Sequence, residues 1–240
     1  MKLFKNKYLK TITLIFLIIN VIAFIHAYKF THFTESNSKK TASPEKLSSF
    51  EKVKTLFFGV NNPKPQNKKI PTQKYQTIKL KSNKKIECWL IKNQNSRGTV
   101  VLFHGYGGEK SSMLDKSNEF LKLGFNTMLV DFMGSGNSEG NQTTIGFKES
   151  KEVKTCFDYI SATGEKNIYL FGTSMGAVAI MKCIYDSEIN PKGIIIECPF
   201  GSMYQTVCAR FKKMNAPPFP MAGILLFWGS LQNGLWGCNH

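Results

Sequence analysis

Asn167-Ile168-Tyr169-Leu170-Phe171-Gly172-Thr173-Ser174-Met175-Gly176-Ala177 runs from an apolar strand into a helix through a serine set between glycines. Asn167–Gly172 has the length and apolar content of a buried strand, and Met175–Ser187 the length of a helix. The pentapeptide Gly172–Gly176 fits the G-x-S-x-G pattern of a nucleophile elbow in the strand–turn–helix context that pattern requires. So tight a turn leaves no room for side chains at its flanks, which accounts for the glycines. The serine hydroxyl then stands above the sheet end, at a helix N-terminus whose dipole favours developing negative charge.

Outward from this turn, strands and helices alternate. Gln76–Lys81 and Lys85–Ile91 read as a strand pair joined at Ser82-Asn83; Thr99–Phe103, Asn126–Asp131 and Gly193–Glu197 read as further strands. Helices are expected over Ser112–Leu123 and Phe147–Ala162. Short apolar strands separated by helices of ten or more residues call for an α/β fold, a mostly parallel sheet with helices on both faces. Residues 75–200 are assigned to this core.

Two glycine-rich loops follow strands. His104-Gly105-Tyr106-Gly107-Gly108 is suited to donate a backbone N–H to a tetrahedral oxyanion, with Tyr106 as the donor on this loop and Met175 as the donor after the serine. Gly108-Glu109-Lys110-Ser111 lacks the spacing of a phosphate-binding P-loop, and His104 is expected to orient the loop rather than act as a base. In Asp131–Gly140 the third glycine comes one residue late for dinucleotide binding, so a turn-rich loop beside the site is expected.

With these motifs in this order, and with Glu197-Cys198-Pro199-Phe200, the chain from about Gln76 to Phe200 resembles the α/β-hydrolase superfamily, especially its serine esterase, lysophospholipase-like and serine aminopeptidase-like members. The resemblance implies an acyl-enzyme on Ser174, a histidine that takes the serine proton and an acid that orients the histidine, in the order serine, acid, histidine. After Ser174 the acids are Asp186, Glu188 and Glu197, and the histidine is His240. Asp186 and Glu188 lie about 18 Å along the helix from the turn. Glu197 and His240 are therefore the triad candidates, although the strands that normally carry both groups are missing. This implies a sheet incomplete at its C-terminal end, a C-terminally truncated chain and little turnover by the chain as given. Residues 201–240 read as the start of a cap or lid, with a helix over Ser202–Met214, prolines at 217, 218 and 220, and apolar Met221–Phe227.

The chain has 240 residues, 27.1 kDa and a formal charge of +16, from 32 basic and 16 acidic side chains. Residues 1–74 hold 14 lysines against 3 glutamates, and only Arg97 and Arg210 are arginines. That distribution argues against nucleic acid, whose bases and phosphates are usually met by arginine forks, and for an anionic membrane surface. Lys2, Lys5, Lys7 and Lys10 precede the uncharged stretch Thr11–Tyr28, and Lys29 closes it. At 1.5 Å per residue the stretch reaches about 27 Å, enough to cross a bilayer core, so residues 1–30 read as an anchor with the C-terminal domain outside the cytoplasm. A cleaved signal peptide ending near Ala23 or Ala27, giving a secreted protein, is the alternative. Residues 31–74 read as a basic linker with one short helix, opened by Ser43-Pro44 and packed on the domain that follows.

The six cysteines show no C-x-x-C spacing and are expected as small buried residues; neither metal nor cofactor is called for. The substrate is expected to be a small-molecule or lipid ester. The competing expectation is a non-catalytic, membrane-anchored binding or scaffold protein that retains part of the fold.

Overall fold

The computed structural model describes residues 7–235. The chain divides into two compact units: one holds the residues up to Thr31, Lys39–Asn62 and those from Gly201 on; the other holds His32–Ser38 and Pro63–Phe200.

The second unit carries one six-stranded sheet, β1 (Tyr75–Lys81), β2 (Lys85–Ile91), β3 (Thr99–Phe103), β4 (Asn126–Asp131), β5 (Ile168–Thr173) and β6 (Gly193–Glu197), in the order β1-β2-β4-β3-β5-β6. β1, β2 and β4 pair antiparallel, while β4, β3, β5 and β6 pair parallel. The central strands are largely apolar because both faces are covered. On one face Val101, Phe103, Met128 and Leu170 meet the helices α4 (Glu149–Ala162) and α5 (Met175–Asp186). On the other, Val100, Leu102, Leu129 and Phe171 meet a 3₁₀ turn at Lys110–Met113 and the helix α3 (Leu114–Lys122). The α/β architecture expected from the alternation is thus present, with helices on both sides of a mostly parallel sheet.

The first unit contains α1 (Lys7–Thr31), α2 (Ser49–Phe58), α6 (Met203–Lys213) and α7 (Met221–Gln232). α1 is long and apolar enough to cross a membrane. α7 lies along it: Trp228 Nε1 donates to Asn20 Oδ1 at 3.0 Å, and the Trp228 indole meets Phe24 edge-on at 5.3 Å.

Three expectations are corrected here. Ser43-Pro44 opens only the 3₁₀ turn Pro44–Lys46, and the true helix start is Ser48, whose hydroxyl accepts from Glu51 N–H while the Glu51 carboxylate accepts from Ser48 N–H. This reciprocal capping box satisfies two backbone N–H groups, whereas the Ser43 side chain makes no capping hydrogen bond. Second, α2 belongs to the same compact unit as α1 and packs against it: Leu56 O receives a hydrogen bond from His26 Nε2 at 2.9 Å. Third, the apolar run from Met221 stays helical past Phe227 to Gln232, since neither proline nor charge interrupts it. Among the cysteines, Cys88, Cys156 and Cys183 are buried as expected, but Cys198 is exposed beyond the end of β6. Cys238 lies outside the described residues.

Candidate active site

The parallel register places four strand ends side by side. Phe103 pairs with Val130 and Gly172, and Thr173 pairs with Glu197. The loops after β4, β3 and β5 and the end of β6 therefore share one edge of the sheet, where ligands of such folds bind.

Ser174 occupies a one-residue link between β5 and α5, with φ 51° and ψ −109°. This is a sparsely populated backbone region for a residue with a side chain, at a cost of about 1–3 kcal/mol. Its surroundings enforce it. A Cβ on Gly172 would lie 2.6 Å from the carbonyl carbon of Gly176, and one on Gly176 would run into the Phe103 carbonyl oxygen. Ala177 is fully buried, so α5 packs tightly from its first turn. The Ser174 N–H donates to Glu197 O at 2.8 Å, which ties the turn to β6. The first N–H groups of a helix have no partner within it, and Met175 heads α5.

The glycine loop after β3 lies against this turn. A Cβ at Gly105 would be 3.5 Å from Ser174 Cβ and 3.3 Å from Thr173 O, so the loop lies in close contact with the serine turn. Tyr106 follows directly, its ring 6.0 Å from that of Phe33. His104 holds the loop from below. Its Nδ1 donates to Gly105 O at 2.8 Å and its Nε2 accepts the Phe132 N–H at 3.2 Å, which fixes the tautomer and occupies both nitrogens. Burial pushes its pKa below the ordinary histidine value. A neutral ring with both nitrogens engaged cannot take the serine proton.

Beneath the two loops lies an ionic cluster that the sequence did not reveal. The fully buried Lys110 ammonium is 3.0 Å from Glu87 Oε1 and 2.5 Å from Asp131 Oδ2, and 4.4 Å above the Trp89 ring. Asp131 also accepts the Lys110 N–H at 2.7 Å, Asn67 Nδ2 at 2.9 Å and the Asn137 N–H at 3.0 Å. One carboxylate thus pins the end of the glycine loop, the Asp131–Gly140 turn and the incoming segment at Asn67. A second pair of acids stands behind that turn. Glu149 is capped by Thr143, Thr144 and Gly146, and Glu152 accepts the Met133 N–H at 3.0 Å. Burial and the neighbouring Glu149 raise the Glu152 pKa well above the carboxylate range.

Of the proposed triad partners, Glu197 sits on the same sheet edge as Ser174, with its carboxylate 2.5 Å from Lys116 Nζ. Asp186 pairs with Lys182 at the far end of α5. His240 lies outside the described residues. Among the described residues, no three His, Cys, Asp or Glu side chains gather as a metal site would require.

Residues 94–226, more than half of the chain, match the family model described as serine aminopeptidase, S33. The chain belongs to this family of α/β hydrolases. As a member of it, the chain is 27% identical over 152 residues to an uncharacterized protein of Acanthamoeba polyphaga mimivirus, covering 59% of this chain and 51% of that one. An uncharacterized membrane protein of Saccharomyces cerevisiae is 26% identical over 145 residues, covering 60% and 51%. The chain thus spans about half the length of the curated relatives it matches. Among solved structures, the esterase Pf2001 of Pyrococcus furiosus superimposes with a TM-score of 0.56 at 24% identity, covering 71% of this chain and 70% of the esterase.

Proposed function

We propose that this α/β hydrolase is a membrane-tethered serine hydrolase that cleaves carboxylic esters of small molecules or lipids. In this reading Ser174 Oγ attacks the ester carbonyl, and its proton passes to a histidine base. The oxyanion is met by the N–H groups of Met175 and Tyr106, the alcohol departs with the proton, and water releases the acid from the acyl-enzyme. His240 is the candidate base and Glu197 the candidate acid. α1 is the tether, with the hydrolase unit outside the cytoplasm.

The observation that carries the reading is the backbone of Ser174, held at positive φ between two glycines that tolerate no Cβ and closed on by Gly105. Strain maintained by its surroundings at one serine marks a residue placed for chemistry. The family match and the esterase-like fold favour an enzyme over a scaffold. The test is a fluorophosphonate probe on the purified chain, with the adduct mapped by mass spectrometry beside a Ser174→Ala control. Label is expected on Ser174 and absent from the control. A chain that stays unlabelled on prolonged exposure, or is labelled at another serine, would overturn the assignment.

A further inference from the structure

The exposed face of α2 has no role in the hydrolase reading. Phe50, Val53 and Phe57 recur at three- and four-residue spacing and share one side of the helix, with Phe58 beside them. They are 78%, 51%, 54% and 63% exposed, and no residue of α2 is buried. Four large apolar side chains left in the open on ten residues of a capped, well-formed helix need a partner.

We infer that α2 is a second membrane-attachment element. It lies in the headgroup layer with these four side chains toward the acyl boundary and its lysines on anionic lipid. The inference rests on the reading of α1 as a membrane span, and three observations single out lipid as the occupant. The first is depth: α2 is fastened to α1 by the His26–Leu56 hydrogen bond, and Gly59 at its end lies where a Cβ would be 3.3 Å from Lys29 Cδ. His26 and Lys29 mark the end of the apolar stretch, the level at which a spanning helix leaves the hydrocarbon. The second is charge: residues 31–74 hold nine lysines and three glutamates, and Lys52 and Lys54 stand on α2 itself. A short helix with aromatic residues on one side and lysines around them has the composition of an interfacial helix. The third is continuity: α7, which has no charged residue, lies along the same half of α1, so the apolar surface at this level extends beyond α2.

The test uses the full chain reconstituted into vesicles of phosphatidylcholine and phosphatidylglycerol. The photoreactive substitutions are Phe50→p-benzoylphenylalanine, Phe57→p-benzoylphenylalanine and, in α1, Ile15→p-benzoylphenylalanine. All three sites are exposed, and two exchange one phenylalanine framework for another, so folding is preserved. Lipid adducts are expected at all three positions. Those at 50 and 57 should fall severalfold in vesicles without the anionic lipid, while that at 15 holds. Adducts at 15 with none at 50 and 57, or cross-links from 50 and 57 to protein instead of lipid, would overturn the inference and leave the anchor standing. Adducts at 50 and 57 without one at 15 would remove the span and keep α2 as a surface helix. Adducts at none of the three would refute both.

Discussion

Replacing Lys110 with methionine isolates the ionic cluster beneath the loops. Methionine keeps the length of the stem over Trp89 and removes the ammonium, leaving Glu87 and Asp131 to face each other in a site where Lys110 and the Asp131 side chain have no solvent exposure. Removing one member of a buried ion pair costs about 3–5 kcal/mol, because the remaining charge stays uncompensated. At a urea dependence of about 2 kcal/mol per M, the unfolding midpoint of the hydrolase unit drops by about 2 M. Pulse proteolysis in urea, with the protein in detergent, reads that midpoint directly. The structure also predicts partial rescue. Adding Glu87→Gln to Lys110→Met leaves a single carboxylate, Asp131, which still accepts N–H groups from residue 110, Asn67 and Asn137. The double variant should therefore regain about 1–2 kcal/mol relative to Lys110→Met alone, a coupling expected only between members of one network. A midpoint shift below about 0.5 M for Lys110→Met, or strictly additive losses, would refute the view that this lysine neutralises both acids.

Gly176→Ala places a methyl group 2.8 Å from the Phe103 carbonyl carbon and 2.9 Å from His104 O, both backbone atoms that cannot swing aside. We expect a loss of about 1–3 kcal/mol in stability, and fluorophosphonate labelling of Ser174 should fall with it; retained stability and labelling together would contradict the close approach. The raised pKa of Glu152 means that the folded state holds its proton at pH values where the unfolded chain, titrating near 4.5, has released it. Stability therefore falls as pH rises above 4.5 toward the folded value, by up to about 1.4 kcal/mol per pH unit. Glu152→Gln retains the acceptor for the Met133 N–H and should gain on the native protein as pH rises; a difference that stays flat with pH would count against it. For His104 the sign reverses. Its lowered pKa makes stability fall as pH drops below 6.5, and His104→Ala should remove that slope while costing about 2–5 kcal/mol for the two hydrogen-bond partners it strands at Gly105 and Phe132.

The residues differ in how openly the sequence declared them. β2, β3, β4 and β6 were legible to the residue: β3 and β4 as largely apolar runs covered on both faces, β2 and β6 as short runs rich in isoleucine or aromatic residues between turn signals. The Ser174 turn was legible because the tight strand-to-helix link excludes side chains at both flanking glycines: Gly172 faces Gly176 within the pentapeptide, and Gly176 faces the end of β3. His104 was legible as a residue that orients the loop, while the burial and the two hydrogen bonds that occupy its nitrogens come from the fold. The start of α2 was written in the sequence as Ser48-Ser49-Phe50-Glu51, a capping box that competes with the proline-bearing Ser43 and prevails by satisfying two backbone groups. The cluster of Glu87, Lys110 and Asp131 had no such signature. Its members come from β2, the turn before α3 and the end of β4, and only the antiparallel pairing of Glu87 with Asp131 brings them together. Its one hint was a lysine inside a glycine-rich loop that does not bind phosphate. That α2 packs against α1 was equally invisible, since an amphipathic pattern states that a helix has a face and not what covers it.

The hydrogen bond from Trp228 to Asn20 joins residues 208 positions apart. At a synthesis rate of about 5–20 residues per second, α1 leaves the ribosome about 10–40 s before the helix that lies along it exists. The whole sheet is made in that interval, from strands whose paired residues lie at most 69 positions apart. The sheet-bearing unit can thus mature while α1 has met only α2, and the contacts of the first-made helix with α7 are among the last to form. During that wait the side of α1 around Asn20 and Phe24 lacks the helix that later covers it, and a segment inserted into a bilayer on emergence would be shielded there from the start.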